Sequence, residues 1–413
     1  MTGSPPPVSE RAERLLASPP LPQYIHEHFE RRGEPWDGDR NPDGYVSMCI
    51  AENKIVFDLL EPKLSASRDV GPESFGYDAM IGSLTLRERT AEFMGRTFLG
   101  RRFAPEQIAV LNGAGTVLEL LFHTIADPGD GVLVPTPSYA GFWADLETRD
   151  QLTIIPVHTR SEGGFQLTTD LLDAALAAAD RPVKALLFTT PDNPLGRVYR
   201  PEEVAEIAAW AHDRALHLVV DEVYALSVFG EPQFSSVARL GTSLGDSTHI
   251  VWAFSKDFAA SGLRAGVLIT ENEEVMGAVD ALAYWACVSG DTQHLLAGMI
   301  EDTAWVDGFV AENRNRLRGA YDAATGALTA AGIPFLPGDA GFFVLCDMRR
   351  FTTDPTWEAE QDLWRRILEE ANVNLTPGAA CHVGEPGFMR LCFAGEPTEA
   401  VVAGIERVGR VVG

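Results

Sequence analysis

Five polar residues follow short apolar segments of the sequence, in the order Asn193, Asp221, Tyr224, Lys256 and Arg264. A carboxylate or an ammonium group at the end of a buried strand is costly unless it meets an opposite charge or a ligand. Open α/β sheets bind their ligands at strand ends, so these residues predict one shared site. A single lysine in such a place is most often a solvated surface charge, and the repetition at several strand ends is what favours a site.

A second group of residues predicts sites for anions. Segment 112–116, Asn-Gly-Ala-Gly-Thr, joins an apolar segment to a helical pattern, and the backbone N–H groups of such a turn bind phosphate. Dinucleotide-binding proteins carry a similar turn, but the third glycine of their motif is missing at the required spacing. Arg390 lies inside the apolar segment 387–393, where a guanidinium needs an anion such as a carboxylate.

The elements that must position these residues alternate between two periodicities. Apolar segments typical of buried strands alternate with helical patterns at 117–125, 171–179 and 201–214, which predicts a mostly parallel sheet with helices on both faces. The predicted strands are 108–111, 131–134, 152–157, 185–188, 216–220, 250–253 and 265–269. A long helical pattern over 305–331 follows, and then a mixture of strands (341–346, 373–375, 388–393) and helices (357–371, 398–411).

Composition limits the classes of function. The chain has 413 residues, 46% of them hydrophobic, and its net charge is −26 (33 Lys and Arg against 59 Asp and Glu). Such an acidic chain repels nucleic acid and anionic membranes, so neither is expected as a partner. The scattered Cys49, Cys287, Cys346, Cys381 and Cys392 predict neither a disulfide framework nor a structural zinc site, and no metal is expected. With no export signal or membrane-length apolar segment visible, a cytoplasmic location is expected.

These motifs together resemble those of the fold-type I pyridoxal-phosphate (PLP) enzymes, the aspartate aminotransferase superfamily, over roughly residues 40–410. The resemblance implies an α/β fold with a mostly parallel sheet of seven strands. It also implies an N-terminal arm (1–40), a large PLP-binding domain (71–299) and a smaller α+β domain built from 41–70 and 300–413. Lys256 would hold the cofactor as a Schiff base, Asp221 would pair with the pyridinium nitrogen, and Asn193 and Tyr224 would bind the phenolic oxygen.

The same resemblance assigns the other predicted site residues. Ala114, Gly115 and Thr116, with Ser255 and Arg264, would bind the phosphate, and Tyr139 would stack on the ring. Tyr77 would reach the phosphate of a neighbouring subunit, which implies a homodimer with composite sites. Arg390 would bind the α-carboxylate of an amino-acid substrate.

Three segments are similar to 1-aminocyclopropane-1-carboxylate (ACC) synthases: 50–53 (Ile-Ala-Glu-Asn), 254–257 (Phe-Ser-Lys-Asp) and 374–387. Those enzymes deprotonate Cα of S-adenosylmethionine (SAM) and expel methylthioadenosine from Cγ. By this resemblance Ala51 and Glu52 would contact the substrate, with Glu52 near its cationic region; the alternative for Glu52 is an ordinary carboxylate at a helix start. The sequence departs from the ACC synthase pattern at Lys54, Ala144 and Ala253, and the extra Gly115 is expected to displace Thr116.

The predicted function is therefore a PLP-dependent lyase or transferase that acts on SAM. The product would be ACC, or the product of γ-replacement or annulation with a second small molecule. A plain aminotransferase, which shares every cofactor residue, is the first alternative. A PLP-binding regulator is the second, although the N-terminal segment is too short and too rich in proline for a fused DNA-binding domain.

Overall fold

The computed structural model describes residues 7–68 and 71–413, without the side chain of Glu73. Its strands are short, as is usual for a sheet covered on both faces. They are β1 Val46–Ser47, β2 Ile108–Leu111, β3 Gly131–Thr136, β4 Thr153–His158, β5 Val183–Thr189, β6 His217–Asp221, β7 Thr248–Ala253, β8 Gly266–Thr270, β9 Phe335–Leu336, β10 Phe343–Asp347, β11 Val373–Asn374, β12 Thr376–Pro377 and β13 Phe388–Cys392.

Seven of these strands form one sheet in the order β2-β8-β7-β6-β5-β3-β4. Strands β3 to β7 run parallel to one another, whereas β8 is antiparallel to both β2 and β7. The predicted sheet is confirmed, since all seven predicted strands are present with ends shifted by a residue or two. Parallel pairing brings the carboxyl ends of β5, β6 and β7 to one edge, and the polar residues that follow those strands gather there.

The helices pack on this sheet and around the smaller sheets. They are α1 Glu10–Ala17, α2 Gln23–Arg31, α3 Phe57–Ser67, α4 Leu84–Met94, α5 Ala114–Ile125, α6 Gly141–Glu147, α7 Thr169–Ala178, α8 Pro201–Asp213, α9 Phe254–Asp257, α10 Glu273–Leu282, α11 Gly290–Glu301, α12 Thr303–Ala330, α13 Trp357–Arg366 and α14 Thr398–Val412. Pro201 stands at the first position of α8, where its missing N–H and fixed φ suit a helix start. In the described residues no helix is long and apolar enough to cross a membrane.

The second half of the structure is built from both ends of the chain. Strands β9, β10, β12 and β13 form an antiparallel sheet, and β1 from the N-terminal part pairs with β11. The helix α12 connects the two halves, because Val306 and Phe309 pack in the core of the large sheet while Leu317 and Leu328 pack in the second core. The predicted division at residues 71–299 remains a prediction, and its first boundary adjoins residues 69 and 70, outside the described residues.

The N-terminal segment differs from the predicted arm. Pro5 and Pro6 lie outside the described residues, but α1 and α2 are helices, which the Pro-rich composition did not predict. Ser9 caps α1 by accepting a hydrogen bond from the Ala12 N–H (3.3 Å). The helix α2 packs against the second core through Tyr24, which is 6% exposed. Residues 23–31 therefore form part of the folded body rather than a loose arm.

Candidate active site

A cavity of about 340 Å³ lies at the carboxyl edge of the large sheet, between the sheet and the N-terminal segment. It brings together most of the residues that the sequence predicted, although they are spread over more than 300 positions of the chain. The predicted residues that line it are Ala51, Glu52, Ala114, Gly115, Tyr139, Asn193, Asp221, Tyr224, Ser255, Lys256, Arg264 and Arg390. Two others, Thr116 and Tyr77, are not among the described residues that line this cavity.

Lys256 enters the cavity from the single helical turn α9, which follows β7 directly. Its Nζ donates a hydrogen bond to the carbonyl oxygen of Ala51 (2.6 Å). Burial, and then the positive charge of Arg390, lower the pKa of the lysine to about 8. The amine is therefore far easier to deprotonate than an exposed lysine, as a nucleophile or a base requires.

Asp221 is the last residue of β6 and is 6% exposed. Its Oδ1 accepts a hydrogen bond from the Val223 N–H (3.2 Å). Burial raises the pKa of this carboxyl group to about 7, and the nearby Lys256 opposes that effect. A cationic N–H placed beside it would stabilise the ionised form, because an opposite charge within a few ångströms lowers the pKa of a carboxyl group.

A chain of hydrogen bonds connects Tyr224, Asn193 and Arg390. The Asn193 amide donates to the Tyr224 hydroxyl oxygen (3.4 Å), and Arg390 Nη1 donates to the Asn193 amide oxygen (3.1 Å). Arg390 Nη2 donates to the Cys49 carbonyl oxygen (2.7 Å) and to the Thr376 hydroxyl (3.1 Å). The Arg390 side chain is 2% exposed, and its buried Nε has no partner among the described residues. A buried guanidinium with an unused donor is suited to an anionic ligand.

The turn before α5 forms a cradle that backbone sterics keep open. Gly113 has φ +115°, and a Cβ on it would lie 2.5 Å from Arg264 Nη2. A Cβ on Gly266 would lie 2.5 Å from the Gly113 carbonyl carbon. The first helical hydrogen bond of α5 runs from the Val117 N–H to the Gly113 oxygen (3.0 Å), so the N–H groups of Ala114, Gly115 and Thr116 precede it. Free N–H groups at a helix start beside an arginine fit a phosphate.

The two predicted aromatic residues lie in different environments. Tyr139 lines the cavity and packs edge-to-face on Phe142, with 5.3 Å between ring centroids. Tyr77 is 99% exposed, on the outer surface of the chain. Its predicted role therefore depends on a second copy, as the resemblance implied, and stays a prediction.

Glu52 lies in an irregular segment, so the alternative of a helix-start carboxylate is wrong. Glu52 lines the cavity with Lys256 and Arg390, and its Oε2 lies 3.7 Å from Lys54 Nζ. The segment is fixed at its next residue, because Asn53 Nδ2 donates to the buried Asn313 amide oxygen (2.8 Å). A half-exposed carboxylate thus faces the cavity on a tethered backbone.

Sequence reasoning missed several residues of the cavity wall, and two of them, Tyr24 and Asp145, carry titratable side chains. Tyr24 lies in the segment taken as an arm, and burial raises its pKa above the usual range. Asp145 projects from α6, and burial raises the pKa of its carboxyl group to about 6, with Glu119 adding to the effect and Arg264 opposing it. Neither residue follows an apolar strand, so the pattern that revealed the other residues gave no signal for them.

Comparison with known proteins matches this chain to a family model. The model of aminotransferase class I and II matches residues 49–408. The chain belongs to the aminotransferase class I and II family. This family uses PLP, so the predicted cofactor and the predicted class, a PLP-dependent enzyme, are confirmed.

Similar proteins place the chain near one branch of the family. It is 38% identical over 416 residues to 1-aminocyclopropane-1-carboxylate synthase 4 of Oryza sativa subsp. japonica, covering 91% of this chain and 84% of that protein. It is 35% identical to 1-aminocyclopropane-1-carboxylate synthase 7 of Arabidopsis thaliana, covering 91% and 88%. Aspartate aminotransferase from Thermus thermophilus with maleate has a TM-score of 0.80 at 24% identity and covers 98% of this chain and all of that one (100%), which supports the fold.

The residues of the cavity fit PLP on chemical grounds. The glycine cradle and Arg264 suit the phosphate, the buried carboxyl group of Asp221 suits a protonated ring nitrogen, and the amine of Lys256 suits the aldehyde carbon. The hydrogen-bonded pair of Asn193 and Tyr224 suits the phenolic oxygen. This set leaves Arg390 and Glu52 to face a substrate.

Proposed function

We propose that this aminotransferase-family enzyme acts on SAM, removing the Cα proton and expelling methylthioadenosine from Cγ. The product is ACC, or a γ-replacement or annulation product when a second small molecule intercepts the reaction. The observation that carries the proposal is the position of Glu52, a carboxylate that shares the cavity with Lys256 and Arg390. Relatives named as ACC synthases support it.

The electrostatics of the cavity suit a substrate with both an anionic and a cationic group. The buried guanidinium of Arg390 binds the α-carboxylate through charge-assisted hydrogen bonds. The half-exposed carboxylate of Glu52 belongs to the same cavity and attracts the sulfonium region, at low cost because it stays partly hydrated. A neutral amino acid gains nothing from Glu52, so this residue favours SAM.

The chemistry begins with proton removal from Cα. PLP supplies an electron sink for the pair of electrons released at Cα. Lys256 takes that proton on Nζ, and a pKa near 8 leaves a useful fraction of the amine neutral at physiological pH. The Cγ–S bond then breaks with both electrons going to sulfur, which leaves as a neutral thioether. Closure of Cα on Cγ completes ACC, and one proton is released overall.

The homodimer is also part of the proposal. Phe75 is 78% exposed, Tyr77 99%, Tyr284 65% and Trp285 74%. Large exposed aromatic side chains of this kind mark interaction surfaces. We propose that a second copy covers them and that Tyr77 thereby reaches the phosphate cradle of the partner subunit.

The test is mass spectrometry of the products that the purified holoenzyme forms from SAM, alone and with candidate co-substrates. Methylthioadenosine with ACC or an adduct supports the proposal, whereas only 2-oxo acid formation with an amino acceptor makes the protein a plain aminotransferase. Glu52→Gln should reduce reaction with SAM far more than transamination of a neutral amino acid. Glu396→Gln is the matched control, because that carboxyl group also lies near Lys54 but does not line the cavity among the described residues. Equal losses for both substrates in Glu52→Gln would refute the role of Glu52.

A further inference from the structure

Asp257, the residue after Lys256, is buried and faces away from the cavity. It ends the single helical turn α9 and is 0% exposed. Successive residues of a helical turn point about 100° apart, so Lys256 reaches the cavity while Asp257 points into the protein. Burial raises the pKa of the Asp257 carboxyl group to about 7, and its hydrogen bonds oppose that effect.

The Asp257 carboxylate accepts three hydrogen bonds. Trp252 Nε1 (2.8 Å) and the Leu226 N–H (3.0 Å) donate to Oδ2, and the Ser227 hydroxyl (2.7 Å) donates to Oδ1. All three partners are donors, so the ionised carboxylate is the form that satisfies them. Trp252 belongs to β7, just before Lys256, and the other two partners belong to a different segment.

That other segment is the turn after β6, which carries Tyr224. The Ser227 N–H donates to the Tyr224 carbonyl oxygen (3.0 Å), and Arg314 Nε from α12 donates to the Leu226 carbonyl oxygen (3.0 Å). One buried carboxylate therefore ties the turn of Lys256 to the turn that holds Tyr224, another group of the cofactor site. The β6–β7 pairing ends at Asp221 and Val251, so it does not reach these turns.

We propose that Asp257 is a positioning residue, which sets the distance between Lys256 and the groups on the turn after β6. The proposed effect is geometric: burial is the largest cause that lowers the pKa of Lys256, and Asp257 would keep that amine in its buried position. The inference rests on Lys256 holding the cofactor, but not on the identity of the substrate.

The first test is the pH dependence of the absorbance band of the Lys256–cofactor linkage in the holoenzyme. In Asp257→Ala all three donors lose their acceptor, so the two turns separate and water enters around Lys256. Burial disfavours the charged form of this nitrogen, and the apparent pKa should therefore rise by about half a unit or more, roughly threefold in the protonation constant. We expect kcat to fall at least about tenfold, with KM changed by no more than about threefold, as for lost preorganisation.

Two further variants separate positioning from plain stability. Ser227→Ala removes one hydrogen bond of the same carboxylate and should shift the spectral pKa in the same direction by less. Glu271→Gln is the matched control: Glu271 accepts hydrogen bonds from Arg101 Nη2 (2.8 Å), the Leu244 N–H (2.8 Å) and the Ser243 hydroxyl, at the opposite end of β8. It should lower Tm without a spectral shift.

An unchanged spectral pKa in both Asp257→Ala and Ser227→Ala would overturn the proposal, whatever happens to Tm. If Asp257→Ala does not fold, Ser227→Ala decides alone. Borohydride reduction followed by peptide mapping checks the attachment to Lys256 separately. A label on Lys256 with no spectral shift would refute the positioning role and leave the proposed function standing.

Discussion

The replacement Arg390→Lys tests the proposed carboxylate site, because it keeps the positive charge and changes only the geometry of the donors. The guanidinium is 2% exposed and donates to Cys49, Thr376 and Asn193. A lysine amine has three donors at one point and cannot reproduce the planar, two-pronged arrangement. Substrate binding should weaken, while the fold should tolerate a change that leaves the charge in place.

The size of the effect follows from the contacts. The substitution removes one charge-assisted hydrogen bond to the substrate carboxylate, which costs about 1.5–3 kcal/mol of binding free energy. It also leaves an acceptor such as the Cys49 carbonyl oxygen without its donor, which costs about 1–3 kcal/mol. A shorter side chain lets water restore part of the second loss, so we expect about 2–4 kcal/mol in total. That corresponds to a Kd raised about 30-fold to 1,000-fold.

The assay is a spectral titration of the holoenzyme with SAM and with decarboxylated SAM. The wild type should bind SAM far more tightly, and Arg390→Lys should lose most of that preference while binding the decarboxylated ligand almost as the wild type does. A similar loss for both ligands would mean that the substitution distorts the cavity as a whole. A loss below about fivefold for SAM, about 1 kcal/mol, would mean that the carboxylate binds elsewhere.

Two further predictions concern the cradle and the interior of the sheet. Gly113 has φ +115°, and in Gly113→Ala the new Cβ would lie 2.5 Å from Arg264 Nη2, so PLP binding should weaken at least about tenfold in a titration of the apoprotein. The control is Gly129→Ala: Gly129 has φ +90° with open space around it, and the PLP affinity should stay unchanged. His249 donates to or accepts from His217 (3.0 Å) and Thr270 (2.9 Å), and burial lowers its pKa from 6.5 to about 3. As pH falls below 6.5, this histidine therefore binds a proton in the unfolded chain but not in the folded protein. Between pH 7.5 and 5, His249 should lower the free energy of unfolding by about 2 kcal/mol. In urea titrations at the two pH values, the free energy of unfolding of His249→Gln should fall by correspondingly less than that of the wild type. An equal fall in both proteins would contradict the lowered pKa of His249.

The large sheet could be predicted because its strands are continuous apolar segments, buried on both faces. The ends were less certain for a physical reason. Strand β5 begins at Val183, whereas the predicted strand begins at residue 185. The prediction started late because the exposed Lys184, at the rim of the sheet, interrupts the apolar pattern. The cofactor residues were predictable since parallel pairing sends consecutive strand ends to one edge.

The docking of the N-terminal segment on the folded body could not be predicted from its sequence. Its composition is polar and rich in proline, and the one buried side chain of α2, Tyr24, is held by a distant contact. The buried Asn374 amide donates to the Tyr24 carbonyl oxygen (2.8 Å) across most of the sequence. The residues of α1 and α2 do alternate with a helical period, but no local pattern shows that α2 docks on the second core, so residues 1–40 were interpreted as an arm.

The extra glycine in the phosphate turn acquires a reason from the structure. A Cβ on Gly115 would lie 3.2 Å from Asp145 Oδ1, which is tighter than an ordinary contact. A residue with a side chain, such as threonine, would therefore crowd Asp145 at position 115, whereas glycine leaves room for it. Thr116 is not among the described residues that line the cavity, and its displacement by the extra glycine stays a prediction. We therefore expect the phosphate to be held by backbone N–H groups and Arg264 rather than by a threonine hydroxyl. Burial raises the pKa of Asp145 to about 6, and an anion bound in the cradle would raise it further, so the carboxyl group can stay neutral beside the phosphate instead of repelling it.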